Sequence, residues 1–330
     1  YLEADRIIQL ANRISDLYIW ILVAIGLPGN IFTIITVAAM KIICPAKFLI
    51  SLLAALDTVS LICKLTGHQM VRNAVYIGPV GCKFEFIIPY TATLANWVLV
   101  LICAERFVTV CFKERKTLIF SLRNCHIMVV VLSAFLLLIF ACISMPMRSA
   151  NFSGFFCGTY NKYVWFWIHV WYWINSCLYL FLPSMFIVPM TALMLHRLRV
   201  SNRNGILQQN DDIGSESQAP VAGKSDLTEE ELENNERMFT LMVFLAAVFF
   251  VILCLPACIF YLSYRHHDDV LTHAQWALYE QFQFFLADST HAINFFLYFL
   301  SARQFQAKAL DILLCKPCRK HSYSPGHRLD

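Results

Sequence analysis

The stretch of sequence that decides the fold is residues 82–111, CKFEFIIPYTATLANWVLVLICAERFVTVC. It begins and ends with cysteine, and its apolar run is about as long as a helix that crosses a membrane. Glu105 and Arg106 stand side by side near its C-terminal end. Charges at such a place are unfavourable in a membrane unless the site is functional or lies at the water interface. Arg106 is therefore the first candidate functional residue.

The composition of the whole chain also indicates a membrane protein. Its 330 residues are 58% hydrophobic and 15% charged, and the mean hydropathy is +0.59. An ordinary soluble domain is less apolar and carries more charge. The net charge is only +4, and no basic tract is interleaved with aromatic residues, which argues against nucleic acid as a partner.

Seven apolar runs of membrane length follow one another along the chain. The first contains no charged residue and is long enough to cross a hydrocarbon core of about 30 Å at about 1.5 Å per residue. The sequence therefore predicts an all-α membrane protein, a seven-transmembrane helix bundle. We place the spans at Leu17–Met40, Lys47–Val71, Lys83–Cys111, Cys125–Met147, Trp167–Leu195, Met238–Tyr264 and Gln275–Leu300.

Lysine and arginine give the orientation of these spans. Of the 26 lysines and arginines, 17 fall in segments on one side and 7 on the other. Because cytoplasmic loops carry an excess of positive charge, the N-terminus is expected outside the cell and the C-terminus inside. We expect an extracellular segment at 1–16, a transmembrane domain at 17–300 and a cytoplasmic tail at 315–330, in a multi-pass protein of the plasma membrane.

The cysteines test this orientation independently. Of 13 cysteines, only Cys82 and Cys157 fall at outside positions. Two oxidisable partners outside the cell are what a single disulfide needs, and two unpaired loop thiols are the alternative. Asn151 begins a glycosylation sequon, Asn-Phe-Ser, in the same outside loop, although so short a pattern also occurs by chance.

The long polar break in the chain is a cytoplasmic loop at 200–236. It is rich in acidic residues, and its first part holds Ser, Gly and Pro, so we expect that part to be disordered. Thr228 and Glu231 have the spacing of a capping box, which can start a helix that runs into the sixth span. The sixth span is therefore expected to project into the cytoplasm.

A short amphipathic helix is predicted at 301–314, lying on the inner leaflet of the membrane. Its apolar face consists of Phe305, Ala309, Ile312 and Leu313. Cys315 and Cys318 follow it, and no second cysteine pair is present to complete a zinc site. Juxtamembrane palmitoylation of Cys315 and Cys318 is the functional interpretation, and unmodified cytosolic thiols are the alternative.

Four motifs stand in order along these spans. They are Gly29-Asn30, Leu53-Ala54-Ala55-Leu56-Asp57, Glu105-Arg106-Phe107 and Asn294-Phe295-Phe296-Leu297-Tyr298. Together with the seven spans and the outside cysteine pair, they resemble the rhodopsin-like (class A) G-protein-coupled receptors over essentially the whole chain. Several positions depart from the family's pattern. Cys254 stands where the family has tryptophan, Phe295 where it has proline and Phe107 where it has tyrosine, and the fourth span lacks the usual tryptophan.

The resemblance implies a receptor that binds an extracellular ligand and activates a heterotrimeric G protein by moving its sixth span, with arrestin and membrane lipids as further partners. A narrower similarity is to the peptide-receptor branch that includes invertebrate FMRFamide receptors and their orphan relatives. It favours a short neuropeptide over another small ligand. An amine receptor is disfavoured because the third span lacks the family's aspartate. An opsin is disfavoured because the seventh span has no lysine for a retinal Schiff base.

Asp57 lies in the middle of the second span, where a charged side chain is unfavourable by a few kcal/mol and needs a partner or a proton. By resemblance, Asn30, Thr290 and Asn294 face it and form a sodium and water site. A sodium ion near Asp57 is thus the one cofactor to be expected. A neutral or water-bridged aspartate that only holds helices together is the alternative.

Lys64 lies two helical turns from Asp57 on the same face, and Asp288 lies six residues before Asn294. We predict an intramembrane ion pair between Lys64 and Asp288 that a ligand breaks or complements; a lysine that reaches outward to the interface is the alternative. Other candidate ligand contacts lie near the outer ends of spans, where aromatic residues also form interfacial belts. They are His68, Glu85, Tyr90, Trp173, Tyr261, Gln281 and Phe284.

Arg106 and Glu236 are predicted to pair across the third and sixth spans in the resting state. Moving the sixth span would break such a pair and expose a groove for the G protein. By resemblance, Glu105, Asn294 and Tyr298 belong to the same switch. An interfacial arginine bound to lipid phosphate is the alternative.

Other classes of protein fit less well. Catalytic groups do not converge in the sequence, so an enzyme is not expected. An odd number of spans without an internal repeat disfavours a transporter or channel. An atypical receptor that signals through arrestin or only sequesters its ligand is the remaining rival. A histidine- and aspartate-rich stretch near the seventh span, at 266–273, is expected to be a solvated loop rather than a metal site.

Overall fold

The structure is a computed structural model that describes residues 2–40, 45–73, 75, 78–144, 147–149, 157–159, 161–212, 226–263 and 269–314. At 79, 113, 147–149, 158–159, 161, 168, 198, 201–212 and 226–237 the description covers the backbone alone. Almost all of these residues are helical, and six helices are long and apolar enough to cross a membrane. The predicted all-α membrane fold is confirmed.

The spans follow one another in sequence order. The first four are Leu2–Ala39, Pro45–Arg72, Ile87–Cys111 and Leu122–Ser144. The fifth is a run of helical segments, Val164–Phe166, Trp167–Trp171, Tyr172–Ser176, Cys177–Phe181 and Leu182–Asp212. The sixth is Asp226–Ser263, and the seventh consists of Val270–Ser289 and Asn294–Ser301. Shorter helices are Gly78–Phe84, Lys113–Arg115, Lys116–Ile119, Asn161–Tyr163 and Arg303–Leu313, and the antiparallel strands are β1 (Met147–Ser149) and β2 (Cys157–Thr159).

The fourth span shows most clearly which surface faces lipid. Its buried residues are few, and a row of large apolar side chains points out of the bundle: Val130, Val131, Phe135 and Leu138. Soluble proteins rarely expose contiguous apolar patches of this kind. The outer surface of the bundle is therefore suited to hydrocarbon.

Three helices extend beyond the apolar limits that the sequence marks. The first begins at Leu2 rather than Leu17, the fifth continues to Asp212, and the sixth begins at Asp226. An apolar run marks only the part of a helix that lies in hydrocarbon, whereas the helix itself continues while its residues favour it. As a result, the segment predicted as a loop at 200–236 is helical at both of its described ends.

The fifth span contains two π-helical turns, Trp167–Trp171 and Cys177–Phe181. At the second turn the third span supplies hydrogen bonds to the backbone. Asn96 Nδ2 donates to the Tyr179 carbonyl (2.8 Å), and Trp97 Nε1 donates to the Leu178 carbonyl (2.9 Å). Side-chain donors from a neighbouring helix thus support a backbone that departs from regular α-helical geometry.

The seventh span is interrupted at residues 290–293, although the sequence has no proline there. In this turn the backbone N–H groups of Thr290, His291 and Ala292 donate to carbonyls three residues earlier. Asn30 Nδ2, from the first span, donates to the His291 carbonyl (3.0 Å). The interruption is therefore stabilised by tighter local bonds and by one contact from another helix.

The end of the seventh span that the sequence predicts to lie outside the cell, its outer end, begins with a side-chain cap. The Asp269 carboxylate accepts from the backbone N–H of Thr272 (2.9 Å) and from its hydroxyl (2.8 Å). These hydrogen bonds lower the pKa of Asp269 because they favour its charged form. The cap is therefore present at neutral pH and is weakened only as acid protonates the carboxyl group.

The short helix Arg303–Leu313 matches the predicted amphipathic helix. Phe305 and Ala309 are buried, and the Phe305 ring lies 6.0 Å from the rings of both Phe295 and Tyr298. Ile312 is half-buried, and Leu313 is exposed. The helix therefore packs its first turns against the end of the seventh span.

Gly26 lies where the first, second and seventh spans come closest. A Cβ atom added there would lie 2.5 Å from Leu61 Cδ1 and 3.0 Å from the Ala292 Cα. A Cβ atom added at Gly67 would lie 2.6 Å from the flexible tip of Ile88, and its next neighbour is 3.9 Å away. The space at Gly26 is limited by the backbone of Ala292 as well as by a side chain, whereas the space at Gly67 is limited only by a side chain that can move.

We expect Gly26→Ala to lower the free energy of unfolding by about 1–3 kcal/mol, as overpacked cores do. Gly67→Ala is the matched control, since both changes give the same gain in helix propensity. Thermal unfolding of the purified protein in detergent measures the difference. Equal midpoints for the two variants would contradict the close approach of the first and seventh spans.

Candidate functional site

The outer end of the bundle is tied together by a disulfide. Cys82, in the short helix Gly78–Phe84, bonds to Cys157 at the start of β2, with the two Cα atoms 5.5 Å apart. This is the pair that the sequence places outside. The disulfide fixes the two-stranded hairpin to the beginning of the third span.

Lys64 and Asp288 meet inside the bundle, as the sequence predicts. The Lys64 ammonium contacts Asp288 Oδ1, and the side chains are only 15% and 7% exposed. The ammonium also lies 5.9 Å from the centre of the Tyr179 ring, and the Tyr18 hydroxyl faces the Asp288 carboxylate. Four spans therefore contribute to one charged cluster below the outer opening.

A second charged group lies nearer the outer surface. Asp16 Oδ1 contacts Arg72 Nη1 at 2.5 Å and lies 4.0 Å from His68 Nε2. The arginine side chain is half exposed, so solvent weakens this pair. His68, a predicted ligand contact, thus lies beside the first span at the rim of the opening.

An aromatic cavity of about 370 Å³ opens between the fifth, sixth and seventh spans. Its size lies in the range of small-ligand sites, about 300–1,000 Å³. Glu280 provides its one acidic group, and Tyr261 and Phe284 are the two predicted contacts that line it. The remaining lining residues are Trp167, Trp171, Tyr172, Asn175 and Phe260.

Other predicted contacts lie apart from this cavity. Tyr90 turns toward the fourth span, where its hydroxyl is 2.7 Å from Ser133 Oγ and its ring packs on Phe140. Trp173 is 44% exposed, and Glu85 is exposed in the turn before the third span. Gln281 is half-buried in the seventh span. The position of a residue along a span predicts its depth in the membrane, but it does not predict which side of the helix the residue occupies.

Asp57 is enclosed by the interrupted part of the seventh span. Its side chain is 1% exposed; Nδ1 of His291 lies 2.8 Å from Oδ1, and Asn294 Nδ2 donates to Oδ2 at 2.8 Å. Two residues predicted to face Asp57 bond elsewhere. Asn30 donates to the His291 carbonyl, and the Thr290 hydroxyl donates to the Ala287 carbonyl (2.6 Å).

Sequence reasoning missed His291. The signal was available, because His291 lies three residues before Asn294 and residues at that spacing share a face of a helix. The orientation that brings the His291 ring to Asp57 depends on the turn at 290–293. The sequence does not predict this turn, because it has no proline there.

Arg106 is fully buried at the inner end of the third span. It forms a two-point contact with its neighbour Glu105, through Nε to Oε2 and through Nη2 to Oε1 at 2.5 Å. The guanidinium also lies 5.9 Å from the centre of the Phe239 ring of the sixth span. The Glu236 side chain, the predicted partner of Arg106, lies outside the described residues.

Asn294 and Tyr298 lie one helical turn apart on the last part of the seventh span. Asn294 reaches the buried Asp57, and Tyr298 is buried against Phe305. The two residues thus connect the polar centre of the bundle with its inner end.

The family model of the seven-transmembrane receptors of the rhodopsin family matches residues 29–298. The chain belongs to this family. The matched region of this receptor contains all four of the motifs described above, from Gly29 to Tyr298. Proteins of the family are receptors, with a ligand and a G protein as partners, and this receptor is accordingly a multi-pass membrane protein.

The receptor is also similar to individual light-sensing proteins over a limited length. It is 31% identical to green-sensitive opsin-1 of Carassius auratus over 104 residues, which are 30% of each chain. It is 29% identical to rhodopsin of Aquarana catesbeiana over 98 residues, 28% of each chain. The receptor thus spans less than a third of the length of the curated relatives it matches.

Several predicted sites fall on residues that the structure does not describe. These are Asn151, Cys315 and Cys318, together with residues 266–268 of the stretch at 266–273. Among the described residues, no group of three or more His, Cys, Asp or Glu side chains is placed to hold a metal ion.

Removing one partner of the Lys64–Asp288 pair leaves a buried charge alone, which costs about 3–5 kcal/mol. We therefore expect Lys64→Ala and Asp288→Ala each to reduce cell-surface expression and the thermal midpoint. The double charge swap, Lys64→Asp with Asp288→Lys, is expected to recover much of both losses. A swap that is no better than either single variant would contradict the pair.

Proposed function

We propose that this protein is a plasma-membrane receptor with an extracellular N-terminus, that its ligand is a short peptide carrying a basic group, and that it activates a heterotrimeric G protein. The observation that carries the peptide assignment is the composition of the aromatic cavity. Family membership supports the receptor activity itself.

The walls of the aromatic cavity offer both a hydrogen-bond donor and an acceptor to a ligand. Trp167 Nε1 and Asn175 Oδ1 are buried, and neither has a hydrogen-bond partner within the described part of the chain. A buried polar atom without a partner is unfavourable by about 1–3 kcal/mol. A peptide bond carries one acceptor and one donor, so a peptide backbone can satisfy both atoms at once.

The same cavity favours a positive charge on the ligand. Glu280 stands among the rings of Trp171, Tyr261 and Phe284. A carboxylate and several aromatic faces together attract an ammonium or guanidinium group. We therefore assign the basic group of the peptide, either a side chain or the N-terminal amine, to Glu280.

The Lys64–Asp288 pair offers a second point of contact at greater depth. A ligand carboxylate or amide oxygen that binds Lys64 competes with Asp288 for the same ammonium group. Since the seventh span carries both Asp288 and Glu280, a ligand that engages both residues changes the forces on one helix. A ligand shifts an equilibrium only through such differences in contact between states.

At the inner end, activation must uncover Arg106. Its guanidinium is held by Glu105 and covered by Phe239 of the sixth span. Outward movement of the sixth span removes this cover and opens a groove beside the arginine. We propose that the G protein binds there, and that arrestin competes for the same surface.

Light reception is the second candidate, favoured by the similarity to opsins. The seventh span has no lysine, and Lys64 is the one lysine that the described structure places among buried charges of the bundle. An aldehyde chromophore would therefore have to attach at Lys64, with Asp288 as its counter-ion. A visible absorption band after incubation with retinal, lost in Lys64→Arg, would favour this candidate over the peptide receptor.

We expect Glu105→Gln to raise basal G-protein activation several-fold, because it removes the carboxylate that holds Arg106. Thr109→Val is the matched control: it removes one long hydrogen bond to Glu105 (3.4 Å) and leaves the ion pair intact. Glu236→Ala is expected to act in the same direction as Glu105→Gln. Unchanged basal activity at equal surface expression would count against the proposed resting contact.

A panel of amidated peptides, assayed for G-protein activation in cells, tests the ligand assignment. We expect activity among peptides with a basic group and a loss of potency of about 10–100-fold in Glu280→Gln, as for a charge-assisted hydrogen bond. Trp173→Ala is the control, since Trp173 follows the lining residue Tyr172 in sequence but does not line the cavity. A panel without activity, or equal loss in both variants, would exclude the assignment.

A further inference from the structure

The centre of the bundle holds a carboxylate, Asp57, whose two oxygens are both taken by nitrogen-bearing side chains of the seventh span. His291 faces Oδ1 and Asn294 faces Oδ2, each at 2.8 Å. His291 is itself held in place, because Asn30 donates to its backbone carbonyl. The first, second and seventh spans thus meet at one buried cluster.

The residues around Asp57 do not fit a sodium ion. Hard cations of this kind take oxygen ligands. At Asp57 each carboxylate oxygen instead contacts a nitrogen, Nδ1 of His291 or Nδ2 of Asn294, at 2.8 Å. The Thr290 hydroxyl and the Asn96 amide N–H donate to the Ala287 and Tyr179 carbonyls, and among the described residues neither side chain is hydrogen-bonded to Asp57.

The space beside the cluster is also too small for a sodium ion together with its water ligands. The cavity lined by Asp57, Asn96, Thr290, His291 and Asn294 has a volume of about 10 Å³. This is about the smallest space that holds one water molecule. The rest of its lining is apolar: Leu53, Ala95, Leu99, Ala246, Phe249, Phe250, Ile293 and Leu297. A cation with its remaining water ligands has no room there.

We infer that the imidazole of His291 takes the place of a cation at Asp57, so that the receptor closes its central site with its own side chain and binds no sodium there. The contact joins the second and seventh spans without an ion, whereas an ion would join them only while it is bound. Sodium concentration then has no influence on the stability of the receptor through this site. Removing the imidazole, in contrast, opens the site and leaves Asp57 available to an ion.

The test compares thermal midpoints of the purified receptor in NaCl and in choline chloride, each at about 150 mM so that ionic strength is constant. The wild type is expected to melt at the same temperature in both salts. His291→Ser is expected to melt about 2–4 °C higher in NaCl, because an ion that binds only the folded state stabilises it. The double variant with Asp57→Asn is expected to lose that difference.

Two results would overturn the inference. One is a wild-type receptor that is stabilised by sodium relative to choline, with the effect abolished in Asp57→Asn. The other is a folded His291→Ser receptor that shows no preference between the salts. If His291→Ser does not fold, the comparison of wild type with Asp57→Asn still decides. Since the readout needs no ligand and no G protein, it is independent of the proposed function.

Discussion

A polar group that is removed from water and from lipid headgroups must find its partner inside the helix bundle. This constraint shapes the receptor at three depths. Lys64 meets Asp288 below the outer opening, Asp57 meets His291 and Asn294 in the centre, and Arg106 meets Glu105 at the inner end. The first two of these contacts join the second span to the seventh. The Glu105–Arg106 contact lies within one helix and does not join two spans.

The contacts that could be predicted from the sequence are those that depend on the spacing of residues along a helix. The contact of Lys64 with Asp288 could be predicted because each residue lies a known number of turns from a motif in its own span. The outside cysteine pair could be predicted from charge and compartment. The side of the helix on which Tyr90 and Trp173 lie could not be predicted, because it is decided by packing against the other spans. For His291 the spacing was visible, but the turn that directs its ring was not.

The seventh span shows how a helix can be interrupted without proline. Phe295 has an N–H group to donate, and nothing in the residue itself prevents a regular helix. The turn is held instead by backbone bonds three residues apart and by Asn30 on the first span. A local feature of the seventh span therefore depends on a side chain more than 250 positions earlier, which is why its sequence alone gives no sign of it.

The two π-helical turns of the fifth span have a further consequence for how this helix is compared with others. Each such turn accommodates one residue more than an α-helical turn, so the residues that follow are rotated by about 100° around the helix axis. Only the second turn lies between the lining residues Tyr172 and Asn175 and the half of the span that runs toward the inner end, so these two parts are out of phase by one insertion. An alignment without gaps will pair cavity-lining residues of this receptor with lipid-facing residues of a relative whose fifth helix is regular.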